Sequence, residues 1–182
     1  MSYTYRLSLY LIVLSLWAIP AQAQAATGGN FSLTDQDRQQ FQLADHRGKV
    51  ILLFFGYTFC PDICPTELST IAKVLRKYAT SRVQGVFVTV DPLRDTPEKL
   101  REYVRYFSPD LIGLTGTQEE IDKVKSVYRV RSSINRKTSN DPYYSVDHTA
   151  NLYVIDQQGV LVNIVPYGFP EQHVSSILEQ LL

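Results

Sequence analysis

The feature that most constrains this chain is a run of consecutive apolar residues, Val50-Ile51-Leu52-Leu53-Phe54-Phe55, closed by Gly56. Such a run reads as a strand buried on both faces, as in the middle of a parallel or mixed sheet. A short loop follows, carrying Cys60, and Cys64 comes four residues later where a helical pattern begins. Strand, loop, thiol pair and helix start form an arrangement in which a sulfur becomes acidic and reachable. Backbone N–H groups at a helix N-terminus favour negative charge and lower a thiol pKa.

These are the only two cysteines in 182 residues. Two are too few for a disulfide scaffold. Lys plus Arg and Asp plus Glu both number 18. That balance leaves no electrostatic footprint for nucleic acid. The length suits one domain plus extras.

The first residues read as an address. Arg6 supplies a positive charge, residues 7–19 form an apolar stretch broken only by serines, and Ala21-Gln22-Ala23 fits a small-x-small cleavage site. This is the three-part pattern of a secretory signal. The stretch is short of the ~20 residues that span a bilayer as a helix. The expectation is a signal peptide over residues 1–23, with an uncleaved inner-membrane anchor as the alternative. A short linker over 24–30 and one domain over 31–182 follow, exported to the periplasm.

The remainder alternates strands and helices. Phe31-Ser32-Leu33-Thr34 and Gln39-Gln40-Phe41-Gln42-Leu43 flank Asp35-Gln36-Asp37 as a hairpin. Leu68, Ile71, Ala72, Leu75 and Tyr78 recur at helical spacing, with Pro65 in the first turn. Residues 84–90 read as a second buried strand. Asp95-Thr96-Pro97-Glu98 starts the next helix, with Asp95 or Thr96 as cap and Glu98 completing a capping box. Its core stripe is Leu100, Tyr103, Val104 and Phe107; a third helix shows Ile121, Val124, Val127 and Tyr128. Residues 129–142 are polar and read as an exposed insertion. Residues 143–146, 152–155 and 160–165 read as strands, with a break at Asp147-His148-Thr149 and a turn at Asp156-Gln157-Gln158-Gly159. Val174, Ile177, Leu178 and Leu181 mark a terminal helix. This order fits a thioredoxin-like α/β sandwich: a central mixed sheet flanked by helices, with an N-terminal β-hairpin. In that arrangement the loop before the last hairpin approaches the loop after the 50–55 strand, so His148 approaches the cysteines.

Cys-x-x-x-Cys on one helical turn places the two Cα atoms about 6 Å apart, within the disulfide range of about 4.4–6.8 Å. The same spacing lets both thiolates converge on one metal. With His148 the donor set is two sulfurs and one nitrogen, which suits copper, and Cu(I) in particular, better than four-coordinate zinc. Asp62 between the cysteines is an oxygen donor or a cap. His46 and His173 lack a soft partner nearby and read as structural. Asp91 and Asp95 read as capping groups rather than catalytic carboxylates.

Three stretches then resemble the Sco/SenC copper chaperones: Phe55-Gly56-Tyr57-Thr58-Phe59-Cys60-Pro61-Asp62-Ile63-Cys64-Pro65, Val90-Asp91-Pro92-Leu93-Arg94-Asp95-Thr96-Pro97, and Val146-Asp147-His148-Thr149. The likeness covers residues 31–182. It implies a thioredoxin-like fold and one copper ion per chain, held by Cys60, Cys64 and His148. It also implies delivery to the copper A site of cytochrome c oxidase subunit II or another periplasmic copper protein, or a thiol–disulfide role in readying that site with a thiol reductant as second partner. Members are commonly held by an N-terminal helix, from which the short apolar stretch here departs. Asp147 is expected to orient His148, and Phe59, Tyr143, Tyr144, Tyr167 and Phe169 to form an apolar docking rim.

Other readings stand beside this one. A plain structural disulfide would close too short a ring to stabilise much. A metal-free exported thiol oxidoreductase would ordinarily carry Cys-x-x-Cys, one residue closer than here. Cys64-Pro65-Thr66-Glu67 resembles a peroxidase site, but Pro61 stands where a Thr or Ser is needed.

Overall fold

The structure is a computed structural model that describes residues 28–138 and 141–182. The expected signal peptide and most of the linker lie outside the described residues. Strands β1 (Ser32–Asp35) and β2 (Gln40–Gln42) form the expected hairpin, and Leu33 and Phe41 face the core as a cross-strand pair. β3 (Val50–Gly56) is buried along its whole length, as a strand with neighbours on both edges and layers on both faces must be. Helix α1 (Ile63–Leu75) follows, then β4 (Val83–Thr89) and α2 (Pro97–Phe107). Next come β5 (Leu111–Thr115), α3 (Gln118–Val127), β6 (Ser132–Asn135), β7 (Ser145–His148), β8 (Leu152–Ile155), β9 (Leu161–Val165) and α4 (Glu171–Leu181).

Seven strands form one mixed sheet in the order β2-β1-β5-β4-β3-β8-β9. The β3–β4 and β4–β5 pairs are parallel and the others antiparallel. The close approach of helices to one face is written in glycines. A Cβ on Gly85 would meet Leu75 and Ile71 of α1 at 2.9 and 3.2 Å, and one on Gly113 would meet Val104 and Leu100 of α2 at 3.0 and 3.2 Å. On the other face Tyr128, just past α3, packs its ring against Phe55 and Tyr153. Helices on both sides of a mixed sheet, with the hairpin at one edge, are the thioredoxin-like sandwich that the element order implies.

Four expectations need correction. Sequence periodicity passes from α2 to α3 without a strand, yet residues 111–115 form β5. Gly113 interrupts its apolar pattern because α2 leaves no room for a side chain there. The polar stretch at 129–142 is not simply an exposed insertion: Ser132–Asn135 pairs antiparallel with β7 in a separate two-stranded ribbon. The expected break at Asp147-His148 is strand, the end of β7. At α2 the cap is Thr96, whose hydroxyl accepts from Lys99 N at 3.4 Å, with Pro97 as the first helical residue. Glu98 falls one position short of a capping box and pairs with Arg38 instead. A complete capping box occurs at α3, between Thr117 and Glu120.

The described chain begins against the start of β9. Gly28 donates to Val127 O at 2.9 Å. Its φ is +95°, and a Cβ there would lie 2.6 Å from that of Leu161. Among the described residues no helix is long and apolar enough to cross a membrane.

Candidate metal centre

The thiol half of the centre grows from the end of β3. Gly56 is required there by space: an added Cβ would lie 2.7 Å from Cys64 Sγ and 2.8 Å from Phe87 Cε2. The loop after it is tied down by Asp95. That carboxylate is fully buried and accepts from Thr58 N at 3.0 Å, Thr58 Oγ1 at 2.6 Å and Thr89 Oγ1 at 2.6 Å. Burial pushes the Asp95 pKa up while these hydrogen bonds pull against it. Asp95 is therefore a loop anchor, not a helix cap. Further along, Cys60 N donates to Tyr57 O at 3.2 Å.

α1 begins at Ile63, so only Cys64 lies in the helix and Cys60 lies in the loop before it. The expectation that one helical turn carries both cysteines does not hold. Asp62 stands at the N-cap position with φ −140° and ψ −75° and makes no cap hydrogen bond with its side chain. It is exposed and is not among the converging donors.

The imidazole half comes from β7. His148 is the last residue of that strand, and its ring sits edge-on to those of Phe54 and Tyr57, with centroids 6.3 and 5.9 Å away. Its Nδ1 lies 3.1 Å from Thr149 O. A carbonyl oxygen only accepts, so Nδ1 carries the proton and the Nε2 lone pair faces the sulfurs. Nε2 lies 3.4 Å from Cys64 Sγ across 84 positions of sequence. Asp147 does not orient the ring: its carboxylate accepts from Asn135 Nδ2 at 2.7 Å across the ribbon.

The sulfurs of Cys60 and Cys64 and a ring nitrogen of His148 all lie within 4.8 Å of one another, the one such group among the described residues. Both cysteines are free thiols, Cys64 buried and Cys60 partly open. The hydrogen bond shared between the sulfurs holds Cys60 well below the ordinary thiol range. Burial opposes that shift, and backbone hydrogen bonds at Asp62 and Cys64 add to it. The same shared bond, with burial, pushes Cys64 up. The pair thus keeps one proton on the inner sulfur and a thiolate on the outer one.

Phe59 and Tyr143, 57% and 87% exposed, line a recess beside Cys60 together with Tyr144. Tyr167 and Phe169 lie on the β9–α4 connection, where Phe169 packs on His173. His46 stacks on Phe41. Sequence reasoning missed Tyr57 and Arg94, which join the two halves of the centre. Neither stands out by residue type, and the only signal for Arg94 is its place in the 90–97 stretch.

The chain is similar to known proteins. Residues 19–182 match the profile of the family described as SCO1/SenC. The mitochondrial protein SCO2 of Saccharomyces cerevisiae is 36% identical over 165 residues, covering 88% of this chain and 55% of its own length. This chain thus spans about half the length of that relative. The structure superposes on copper-bound ScoI of Bradyrhizobium japonicum with a TM-score of 0.78 and 39% identity, over 86% of this chain and all of the other. It superposes on copper-bound yeast Sco1 with a TM-score of 0.77 and 34% identity, over 85% and 87% of the two chains. With the profile running through both halves of the centre and the sandwich shared along nearly the whole domain, the chain belongs to the SCO1/SenC family.

Proposed function

We propose that this protein is a copper chaperone. It holds one copper ion through Cys60, Cys64 and His148 and hands it to the copper A site of cytochrome c oxidase subunit II or another exported copper protein. The observation that carries this reading is the convergence of two sulfurs and one imidazole nitrogen within 4.8 Å. Donors bound to one ion at about 2.0–2.3 Å sit up to about 4.6 Å apart, so the three atoms need to close in only slightly. Soft sulfur with imidazole, and no fourth donor in the group, suits copper in low coordination. The copper named in the two superposed structures supports the same choice.

The residues do the following. Cys60 presents a thiolate at the rim, and Cys64 gives up the shared proton as its sulfur takes the ion. His148 supplies Nε2, its tautomer fixed by Thr149 O. Because Cys60 is partly open, a thiolate of the receiving protein has room to enter as one ligand leaves. A partner disulfide exchanging with the metal-free pair takes two electrons and the one shared proton, draws a second proton from water as it leaves as a dithiol, and forms the Cys60–Cys64 disulfide, which removes both sulfur ligands. The same low, reachable Cys60 thiol supports a second reading, reduction of partner disulfides to ready a copper site, followed by regeneration by an exported thiol reductant. Residues 1–23 serve as the export signal, or as an anchor if retained, 24–30 as a linker and 31–182 as the working domain on the periplasmic side.

The test is copper stoichiometry of the reduced protein with zinc as competitor. The wild type should bind one copper per chain. Cys60→Ala and Cys64→Ala should abolish tight binding. His148→Ala should weaken it by at least about tenfold, as loss of even an outer partner of a metal ligand does. No tight copper in the wild type, with a reducible Cys60–Cys64 disulfide, would replace the chaperone reading with the thiol oxidoreductase.

A further inference from the structure

The three donors come from two pieces of backbone that share no sheet. Cys60 and Cys64 belong to the loop and helix after β3, while His148 ends a two-stranded ribbon outside the seven-stranded sheet. An isolated two-stranded ribbon is marginal in water. Something must seat it against the thiol loop, or Nε2 would not stay within reach of the sulfurs.

Arg94 is in contact with both pieces. Its guanidinium carbon lies 3.5 Å from the ring centroid of Tyr144, on the ribbon side, and 4.8 Å from that of Phe59, next to Cys60. Its Nη1 donates to Tyr144 O at 2.9 Å. Its Nε donates to Asp91, whose side chain is 1% exposed. The other oxygen of Asp91 accepts from Tyr144 Oη at 2.8 Å. Nη2 has no hydrogen-bond partner among the described residues and is held by the surrounding rings. The following residue, Asp95, pins Thr58. One short turn therefore grips the thiol loop through Phe59 and Thr58 and the His148 ribbon through Tyr144.

We infer that Arg94 is the positioning residue of the metal centre: seated on Asp91 and layered between Phe59 and Tyr144, it sets where His148 stands relative to the two sulfurs. The effect is one of geometry. A planar guanidinium stacks on one ring while its fork bonds a carbonyl and a carboxylate together, which a lysine ammonium cannot do. Asp91 itself contacts none of the donors and serves as the seat.

This inference rests on the copper reading above, and the test separates the two. Copper affinity is measured for the full chain as wild type, Arg94→Lys, His148→Ala and the double variant, and X-ray absorption counts sulfur and nitrogen ligands on the bound copper. Arg94→Lys keeps a cation beside Asp91; Tyr144→Leu, which removes the ribbon's side of the stack, is run in parallel, and circular dichroism identifies the folded variants. Arg94→Lys is expected to bind copper about tenfold more weakly, with the nitrogen ligand lost or reduced and both sulfurs kept. Added to His148→Ala, it should cost nothing further, because its effect passes through His148. Retained nitrogen ligation in both Arg94→Lys and Tyr144→Leu, or a full tenfold loss on top of His148→Ala, would overturn the inference. A wild type that takes up no copper would instead overturn the chaperone reading.

Discussion

The two halves of the centre are built to different standards. The thiol half stands on β3, buried along its whole length, and on α1, which buries Cys64, Leu68, Ile71 and Leu75. Its loop hangs from a buried carboxylate with three hydrogen bonds. The imidazole half is a ribbon whose first strand is almost entirely exposed and in which Val146 is the one fully buried residue. It touches the body of the protein through a few contacts. Val146 N donates to Tyr57 Oη at 3.3 Å, Arg94 Nη1 donates to Tyr144 O at 2.9 Å, and Tyr144 Oη donates to Asp91 at 2.8 Å. The centre thus joins a rigid two-sulfur wall to a lightly held nitrogen arm. Under the chaperone reading proposed above, that inequality would let the arm withdraw without disturbing the wall.

The sharpest way to break this comparison is to weaken the wall. Asp95→Ala strands the buried Thr89 hydroxyl and the partly buried Thr58 donors and should cost about 3 kcal/mol, read from urea unfolding of the reduced protein. A loss under about 1 kcal/mol would mean that the thiol loop is held no better than the ribbon.

The next effect is a pH dependence that belongs to the α1 side. Glu67 is 4% exposed, and burial pushes its carboxyl up to about 7. The folded protein therefore binds a proton that the unfolded chain releases near the ordinary carboxylate range. The stabilisation is fully present below that range and is lost as pH rises through about 7. Discounted for screening, it amounts to roughly 1–2 kcal/mol. Glu67→Gln should leave stability at pH 5 nearly unchanged and raise it at pH 8 relative to wild type. Parallel pH profiles of the two proteins would assign the dependence to some other group.

The smallest expected effect probes the arm. Tyr57→Phe removes one hydrogen bond, worth about 1 kcal/mol or less. Global unfolding should barely move, while exchange of the Val146 amide should speed up about fivefold. Unchanged exchange there would show that the ribbon is held elsewhere, and would put more weight on Arg94 and Tyr144.

The same inequality explains what the sequence discloses. The wall is legible because dense burial writes itself as an apolar run at 50–55 and as helical spacing from Leu68 to Leu75. The arm is not, since Ser132-Ser133-Ile134-Asn135 faces solvent and has little reason to alternate. His148 is legible through the element order, which brings its loop to the thiol loop, and through the motif around it, while its pairing with Ser132 leaves no mark. Asp95 reads as a cap because it precedes Thr-Pro at a helix start, and its true partner, Thr58, lies 37 positions upstream. β5 is hidden by Gly113, a residue chosen for the fit of α2 rather than for strand preference. Side chains that act across long separations, Arg94 and Tyr57 above all, carry no local pattern to read.

The contact between Gly28 and Leu161 has a bearing on reach. Leu161 pairs with Ile155, and Ile155 with Ile51 near the start of β3, whereas the sulfurs sit beyond Gly56 at its finish. Gly28 therefore stands at one pole of the sheet while the donors occupy the other, about 17 Å away along the strand. The partly open Cys60 thus lies at the pole opposite the point where the described chain begins.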